Sequence, residues 1–271
     1  GNIWKKERNL SGDILCEQMP DGREIRYEYD ADSRKIRTVY ADGSTERCFY
    51  DRNGNLIKKV RPENYAAETD DGIGVTYVYD SMNRLVQVTE EDGQVQHTFR
   101  YNASGRLEEE SDGAGYATLY TYDLTENRTG MWEPVEMSDG GEVLYRVTLY
   151  EYDSESNKIR EKRGLDKVRA GQTPVRTHEL RFTYDARNRL TTVEDPEGAR
   201  AEYRYNCLNQ KTYESFRISE HVERVIRYEY DAAGNLIRRS EGIEERFRKP
   251  GGSSRMVWSV TRYGYDPAGN C

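Results

Sequence analysis

Carboxylates, thiols, imidazoles and indoles are the groups in this sequence that could do chemistry, and their spacing limits what each could do. An Asp directly follows a Tyr at Asp30, Asp51, Asp80, Asp123, Asp153, Asp185, Asp231 and Asp266. Two carboxylates flanking a sugar bond suffice for glycoside hydrolysis. An acid that recurs this regularly is explained without catalysis, because an Asp side chain bonds backbone amides ahead of it and starts a turn. Cys16, Cys48, Cys207 and Cys271 are scattered with no CxxC pair to hold zinc or cycle as a dithiol, so they read as free thiols. His97, His178 and His221 are equally isolated and read as polar residues on a strand face. With no nucleophile motif, phosphate loop or metal spacing, neither catalytic residue, metal nor cofactor is expected. Trp4, Trp132 and Trp258, with carboxylates nearby, could stack on sugars, which makes a glycan- or cell-surface-binding module the alternative to a structural role.

The elements that carry these groups are visible as an internal repeat. Aromatic-x-Tyr-Asp recurs with its second aromatic at Tyr29, Tyr50, Tyr79, Tyr101, Tyr122, Tyr152, Tyr184, Tyr205, Tyr230 and Tyr265. Successive spacings of 21, 29, 22, 21, 30, 32, 21, 25 and 35 residues define a unit near 21 with insertions. Two residues before each Tyr stand Tyr27, Cys48, Tyr77, Phe99, Tyr120, Tyr150, Phe182, Tyr203, Tyr228 and Tyr263, while the residue between varies freely. Residues two apart on a strand share a face, so this is a strand with one aromatic and one mixed face, and Cys48 is expected to pack.

Turn signals bracket each strand. Asn102 and Asn206 replace the Asp in two copies, and Gly54, Asn83, Gly105, Asn188, Asn209, Gly234 and Gly269, four residues after the Tyr, are types that tolerate positive φ. Leu56, Leu85, Leu107, Leu190 and Leu236 then open the next strand, and Ile36 and Ile159 suggest a turn one residue longer in two copies. Gly22, Gly43, Gly72, Gly115 and Gly198, seven residues before the repeat Tyr, mark a second turn, as Asp-Gly in the first three. The unit is strand, turn, strand, Asp-Gly turn. Chained units predict an all-β fold, an array of antiparallel hairpins forming a long twisted, curling sheet.

Composition agrees. Only 35% of the 271 residues are hydrophobic and 33% are charged, lean for a thick aliphatic core, but 22 Tyr argue against disorder and make Tyr the main apolar residue. A net charge of -8, with both signs interspersed, opposes a general nucleic-acid or anionic-membrane surface. No apolar run approaches a membrane span and no signal peptide opens the chain. Asn9, Asn102 and Asn127 open N-x-Ser/Thr triplets that say little without a eukaryotic secretory context.

The expected organisation is one array of about ten units over 1-271, with insertions at 61-70, 124-146, 161-178 and 238-257. The last is locally basic and glycine-containing, with Arg246, Arg248, Lys249, Pro250, Gly251 and Gly252. Gly1-Asn2-Ile3 matches the interior Gly54-Asn55-Leu56, and the chain stops inside a turn at Cys271, so both ends look cut from a longer array.

Tyr50-Asp51-Arg52-Asn53-Gly54-Asn55-Leu56, Tyr230-Asp231-Ala232-Ala233-Gly234-Asn235-Leu236 and Tyr265-Asp266-Pro267-Ala268-Gly269-Asn270 resemble the YD-repeat, or RHS (rearrangement hot spot) repeat, family. The resemblance covers nearly the whole chain. It implies a β-strip that spirals into a hollow shell, found in bacterial polymorphic toxins, insecticidal toxin complexes, wall-associated proteins and teneurins. In the toxins the shell encloses a C-terminal toxic domain. The implied function is a non-enzymatic structural segment that encloses or displays such cargo in a longer protein, outside the cell or at its surface. Its implied partners are the remaining repeats and the cargo. The family's toxin-delivering members end in a core segment with Asp-Pro motifs that support self-cleavage; here Asp266-Pro267 and Asp195-Pro196 sit in ordinary turns, so neither toxin nor autoprotease is assigned.

Overall fold

The computed structural model describes residues 4–138, 140–219, 222–245 and 255–265. Among the described residues, twenty-two strands belong to one antiparallel sheet, in which successive strands pair with their neighbours in the chain. The chain divides into two compact units, Gly1–Leu119 and Tyr120–Cys271.

In the first unit, hairpin follows hairpin from Lys5–Arg8 to Leu107–Asp112. Residues after Val60 leave the sheet as a short 3-10 turn, Pro62–Asn64, and a small hairpin, Tyr65–Ala66 with Asp71–Gly72. The sheet resumes at Val75–Tyr79, which pairs with Leu56–Val60 as if nothing had been inserted. Gly72 is therefore not the turn glycine its spacing suggests. It lies in a two-residue strand, and a Cβ there would meet the Asn64 carbonyl oxygen at 1.9 Å, so glycine is required by the close approach of two backbones.

In the second unit the hairpins lengthen. Arg128–Met137 and Val143–Tyr152 pair as ten-residue strands, so residues 124–146 are largely extended ladder. Beyond Lys158–Gly164, the segment Val168–Arg169 pairs with Leu144 and Tyr145, and the chain then enters Thr177–Tyr184. Leu236–Glu245 and Arg255–Arg262 extend the last hairpin.

The core is thin. Val60, Val147 and Val225 are fully buried, and Val75, Val88, Trp132, Tyr145 and Ile226 are nearly so. Burial on a sheet face this polar comes mainly from long side chains and rings laid over their neighbours.

Candidate functional site

The recurring residues build two ladders. In the first, the Asp after each repeat Tyr closes its turn. Asp51 Oδ1 accepts the amides of Asn53 and Asn55, both at 2.9 Å, and Asp80, Asp153, Asp185 and Asp231 accept in the same way from the residues two and four ahead. Asp30 accepts from Asp32 and Arg34, and Asn206 does the same for Leu208 and Gln210. The second carboxylate oxygen holds the side chain four residues on: Arg34, Asn55, Arg84, Asn157, Arg189 or Asn235. These bonds hold the carboxyl groups below their usual range, and the Arg189 guanidinium draws Asp185 down to about 2.

Each turn also needs one residue with positive φ. Gly54 has φ 90°, Gly105 87° and Gly234 91°, and Asn83, Asn188 and Asn209 lie near 60°. Ser33 and Ser156 adopt φ 59° and 64° at the same place, so the turns after Tyr29 and Tyr152 are no longer than the others. Register settles the point: Tyr29 pairs with Lys35 and Tyr152 with Lys158, as Tyr50 pairs with Leu56. The expectation of an extra residue before Ile36 and Ile159 is corrected. Lysine occupies the leucine slot because its alkyl stem covers the aromatic row while its ammonium sits over a ring. Lys35 lies 5.0 Å from the Tyr27 ring centre, Lys158 4.6 Å from Phe182 and Lys211 5.0 Å from Tyr203.

The second ladder ties each unit to the one before. The hydroxyl of Tyr50 donates to the carbonyl of Lys35 at 3.1 Å, and that of Tyr79 to Leu56 at 3.0 Å. Tyr29 donates to Ile14, Tyr101 to Leu85, Tyr152 to Arg128, Tyr184 to Lys158, Tyr205 to Leu190, Tyr230 to Lys211 and Tyr265 to Leu236. Every acceptor is the first residue of a strand. Burial raises the hydroxyl pKa of Tyr50, Tyr79, Tyr101, Tyr152, Tyr184 and Tyr230. Tyr27 and Cys48, in the companion row, are also raised by burial, so the Cys48 thiol is held in its unreactive form. Arg34, Arg84 and Arg189, already bonded to the Asp of their own turn, lie 5.3, 4.6 and 4.9 Å from the ring centres of Tyr50, Tyr101 and Tyr205 in the next unit. Asp, Arg and the following Tyr thus form one connected motif.

Sequence reading overlooked a further copy. Asn9 Oδ1 accepts the Asp13 amide at 2.8 Å, Gly12 has φ 91°, and Ile14 receives the Tyr29 hydroxyl. Arg8 takes the tyrosine position, which hid the unit. Its surviving signals are a Gly and an Ile four and six residues after Arg8.

The face opposite the repeat tyrosines carries the excursions. Arg37 and Arg47 stand directly opposite each other on neighbouring strands, a repulsive pairing. Asp70, from the excursion after Val60, accepts from Arg37, from Arg47 at 3.2 Å and from the Tyr65 hydroxyl at 2.8 Å, and Lys58 pairs with Asp71 at 2.8 Å. In the second unit, Trp132 is 7% exposed and its indole N–H donates to the Gln172 carbonyl at 3.0 Å. The reading of Trp132 as an exposed sugar platform is corrected: the 165–176 loop covers it. Trp4 is 55% exposed, and Trp258 lies half-buried against Arg227.

His97 stacks on Phe99 with centroids 6.1 Å apart, and His178 lies in the strand Thr177–Tyr184. Cys16, Cys48 and Cys207 are free thiols. Among the described residues no three His, Cys, Asp or Glu side chains gather as a metal site, and no helix is long and apolar enough to cross a membrane. Tyr122 lies on Ala117–Tyr122. Asp266, Gly269, Cys271, His221, Gly1-Asn2-Ile3 and the basic 246–252 stretch lie outside the described residues.

Residues 50–95 match the RHS Repeat family. The probable deoxyribonuclease RhsA of Dickeya dadantii (strain 3937) is 27% identical over 210 residues, which are 74% of this chain and 14% of that protein. The double-stranded DNA deaminase toxin A of Burkholderia cenocepacia (strain H111) is 29% identical over 181 residues, 65% of this chain and 11% of its own length. A crystal structure of TcdB2-TccC3-Cdc42 aligns over 98% of this chain and 19% of that one, with a TM-score of 0.37 and 14% identity. The chain thus spans a small part of the curated relatives it matches. Residues 50–95 are thus similar to the RHS, or YD, repeat, and the Tyr-Asp turns and tyrosine-to-carbonyl bonds of that segment recur in other copies along the chain.

Proposed function

We propose that this chain is a non-enzymatic wall segment of an RHS-type shell, which in a longer protein encloses or displays a toxic cargo, outside the cell or at its surface. The observation that carries the reading is the use to which the reactive groups are put. Among the described residues, the repeat carboxylates accept from their own turns and the repeat hydroxyls donate to the preceding unit, so these groups serve to hold the array together. The tyrosines and aspartates of the repeat, from Tyr27 and Tyr29 to Tyr265 and Asp266, are on this reading structural residues.

Each unit joins only its neighbours, so the array extends by addition, as a wall must. Excursions leave the sheet without interrupting the ladder, which lets the lining vary while the wall persists. The cargo reading draws on the relatives, which are named as a deoxyribonuclease and a DNA deaminase toxin and are far longer than the matched region.

The test is protease protection. In the longer protein, the cargo should resist a protease that digests the same cargo expressed alone, and should become sensitive once the wall is unfolded in denaturant. Equal digestion inside and outside the native protein contradicts enclosure.

A further inference from the structure

We propose that the excursion after Val60 is a releasable strap over a binding site for an acidic peptide segment, and that Asp70 and Asp71 of the strap occupy that site as an internal stand-in. The cations of the site are placed by the sheet and not by the strap. Arg37 and Arg47 face each other on adjacent strands, and each is fixed by a group outside the excursion. Arg37 donates to both carboxylate oxygens of Glu28 at 3.0 and 3.1 Å, and Arg47 to the Ile36 carbonyl at 2.7 Å. Arg47 and Lys58 lie 5.0 and 5.6 Å from the Phe49 ring centre, which sets a third cation beside the pair. Two arginines held in direct opposition repel, so the sheet alone presents a gap that an anion relieves.

The strap fills the gap with two consecutive carboxylates. Asp70 accepts from both Arg37 and Arg47, and Asp71 accepts from Lys58 at 2.8 Å. Bonds from a guanidinium to a carboxylate are among the strongest polar contacts a surface offers, and arginine clusters are a recurring means of reading acidic segments. The occupant defines the ligand class: carboxylates on adjacent residues of one chain, with a tyrosine hydroxyl 2.8 Å from the first of them. The fit of the strap is incomplete. Arg37 Nε is buried without a hydrogen-bond partner, a donor that a segment with a further acceptor can take.

Charge is the main hold on the strap. Besides its two aspartates, Asn64 donates to Glu91 at 2.7 Å and Arg61 pairs with Glu91 at 3.4 Å. Its apolar contribution is small: Ile73 is 65% exposed, and the strap rests on Val60 through Gly72 and Gly74, which bring no side chain of their own. Asp70 is also held at φ 52°, a left-handed conformation that glycine adopts freely and other residues at some cost. The sheet beneath does not depend on the strap, because Lys58 and Lys59 pair directly with Thr76 and Val75. An element held in this way opens locally while the ladder stays closed. Tethering gives the internal carboxylates an effective concentration of about millimolar, so an external segment enters once the strap is drawn off.

The test measures fluorescence anisotropy of a labelled peptide of residues 65–73 against the 271-residue chain, unaltered and with Asp70→Asn and Asp71→Asn together. Asparagine tolerates the left-handed turn, so the double variant should keep the β circular dichroism of the unaltered chain while endoproteinase Glu-C gains access to Glu63 and Glu68 in the strap. The double variant should bind the peptide saturably and at least tenfold tighter than the unaltered chain, and added salt should weaken that binding. Adding Arg37→Gln or Arg47→Gln should weaken it more than tenfold, and Arg37→Lys less. A peptide with asparagine at both aspartate positions should not bind. The proposal is overturned by absence of saturable binding of millimolar peptide to the folded double variant, by equal binding to both chains, or by a strap that stays resistant to Glu-C. It is also overturned by undiminished binding after Arg37→Gln and Arg47→Gln, or by displacement of the peptide by an equal concentration of inorganic phosphate, which would make the cluster a general anion site. None of these results bears on cargo protection, so the two readings fail separately.

Discussion

The Tyr79 hydroxyl donates to the Leu56 carbonyl at 3.0 Å, across 23 residues of chain that include the excursion after Val60. Tyr50 makes the equivalent bond to Lys35 across 15 residues, and Tyr265 to Leu236 across 29. The contact is preserved while the chain between its partners nearly doubles, so the bond belongs to the repeat and the extra length belongs to the insertion. Tyr79→Phe removes the bond and leaves the ring. The expected cost is about 1 kcal/mol, read as a lower urea midpoint, with hydrogen exchange quickened at strand Leu56–Val60. An unchanged midpoint and exchange pattern would show that the ring alone joins the units.

Turn geometry makes a second prediction. Gly54 sits at φ 90°, and a Cβ there would also meet Arg34 Nη1 at 3.2 Å. Gly54→Ala should cost roughly 1–2 kcal/mol, whereas Asn83→Gly, at φ 60°, should change stability little. Equal effects of the two changes would contradict the assigned turn conformation.

Acid stability follows from the turn carboxylates. Asp185 is lowered from 3.8 to about 2. A depressed carboxyl stabilises the fold above its unfolded pKa, and that contribution is lost as pH falls through the folded value. Acid unfolding should therefore develop between about pH 4 and pH 2, and Asp185→Asn should flatten this limb in a circular dichroism titration. The repeat hydroxyls work oppositely. Their raised pKa stabilises the fold below the ordinary tyrosine value of 10.0, and the contribution is lost as pH rises through the higher folded value, giving an alkaline transition that Tyr79→Phe reduces.

Trp132 anchors the 165–176 loop through its ring and its N–H bond to Gln172. Trp132→Ala should cost about 3–5 kcal/mol and expose that loop to trypsin at Lys167 and Arg169. Trp132→Phe, which loses the donor but keeps a ring, should fall between. Unaltered cleavage in Trp132→Ala would mean that pairing of Val168–Arg169 alone holds the loop.

The repeat was legible because its signals are local: Asp51 acts on Asn53 and Asn55, and Tyr27 and Tyr29 share a face by strand periodicity. Lys35 and Lys158 were misread for a reason equally local. A leucine-like slot filled by an alkyl stem with a charged tip does not register as apolar, so the sequence pattern points to the next Ile instead. Arg8 concealed a copy in the same way. The excursions were visible as length but not as contacts, because Asp70 meets Arg37 across 33 residues and nothing near Asp70 in sequence names that partner. The opposition of Arg37 and Arg47 was hidden because it runs across strands, where only register brings the two together.

The central claim, that these repeats serve as a wall, is tested most directly by cryo-electron microscopy of the longer protein carrying its cargo. The account predicts these strands within a continuous sheet surrounding a closed lumen, with the C-terminal domain's density inside it. Repeats standing apart as an open strip, with the cargo domain in solvent outside them, would contradict it.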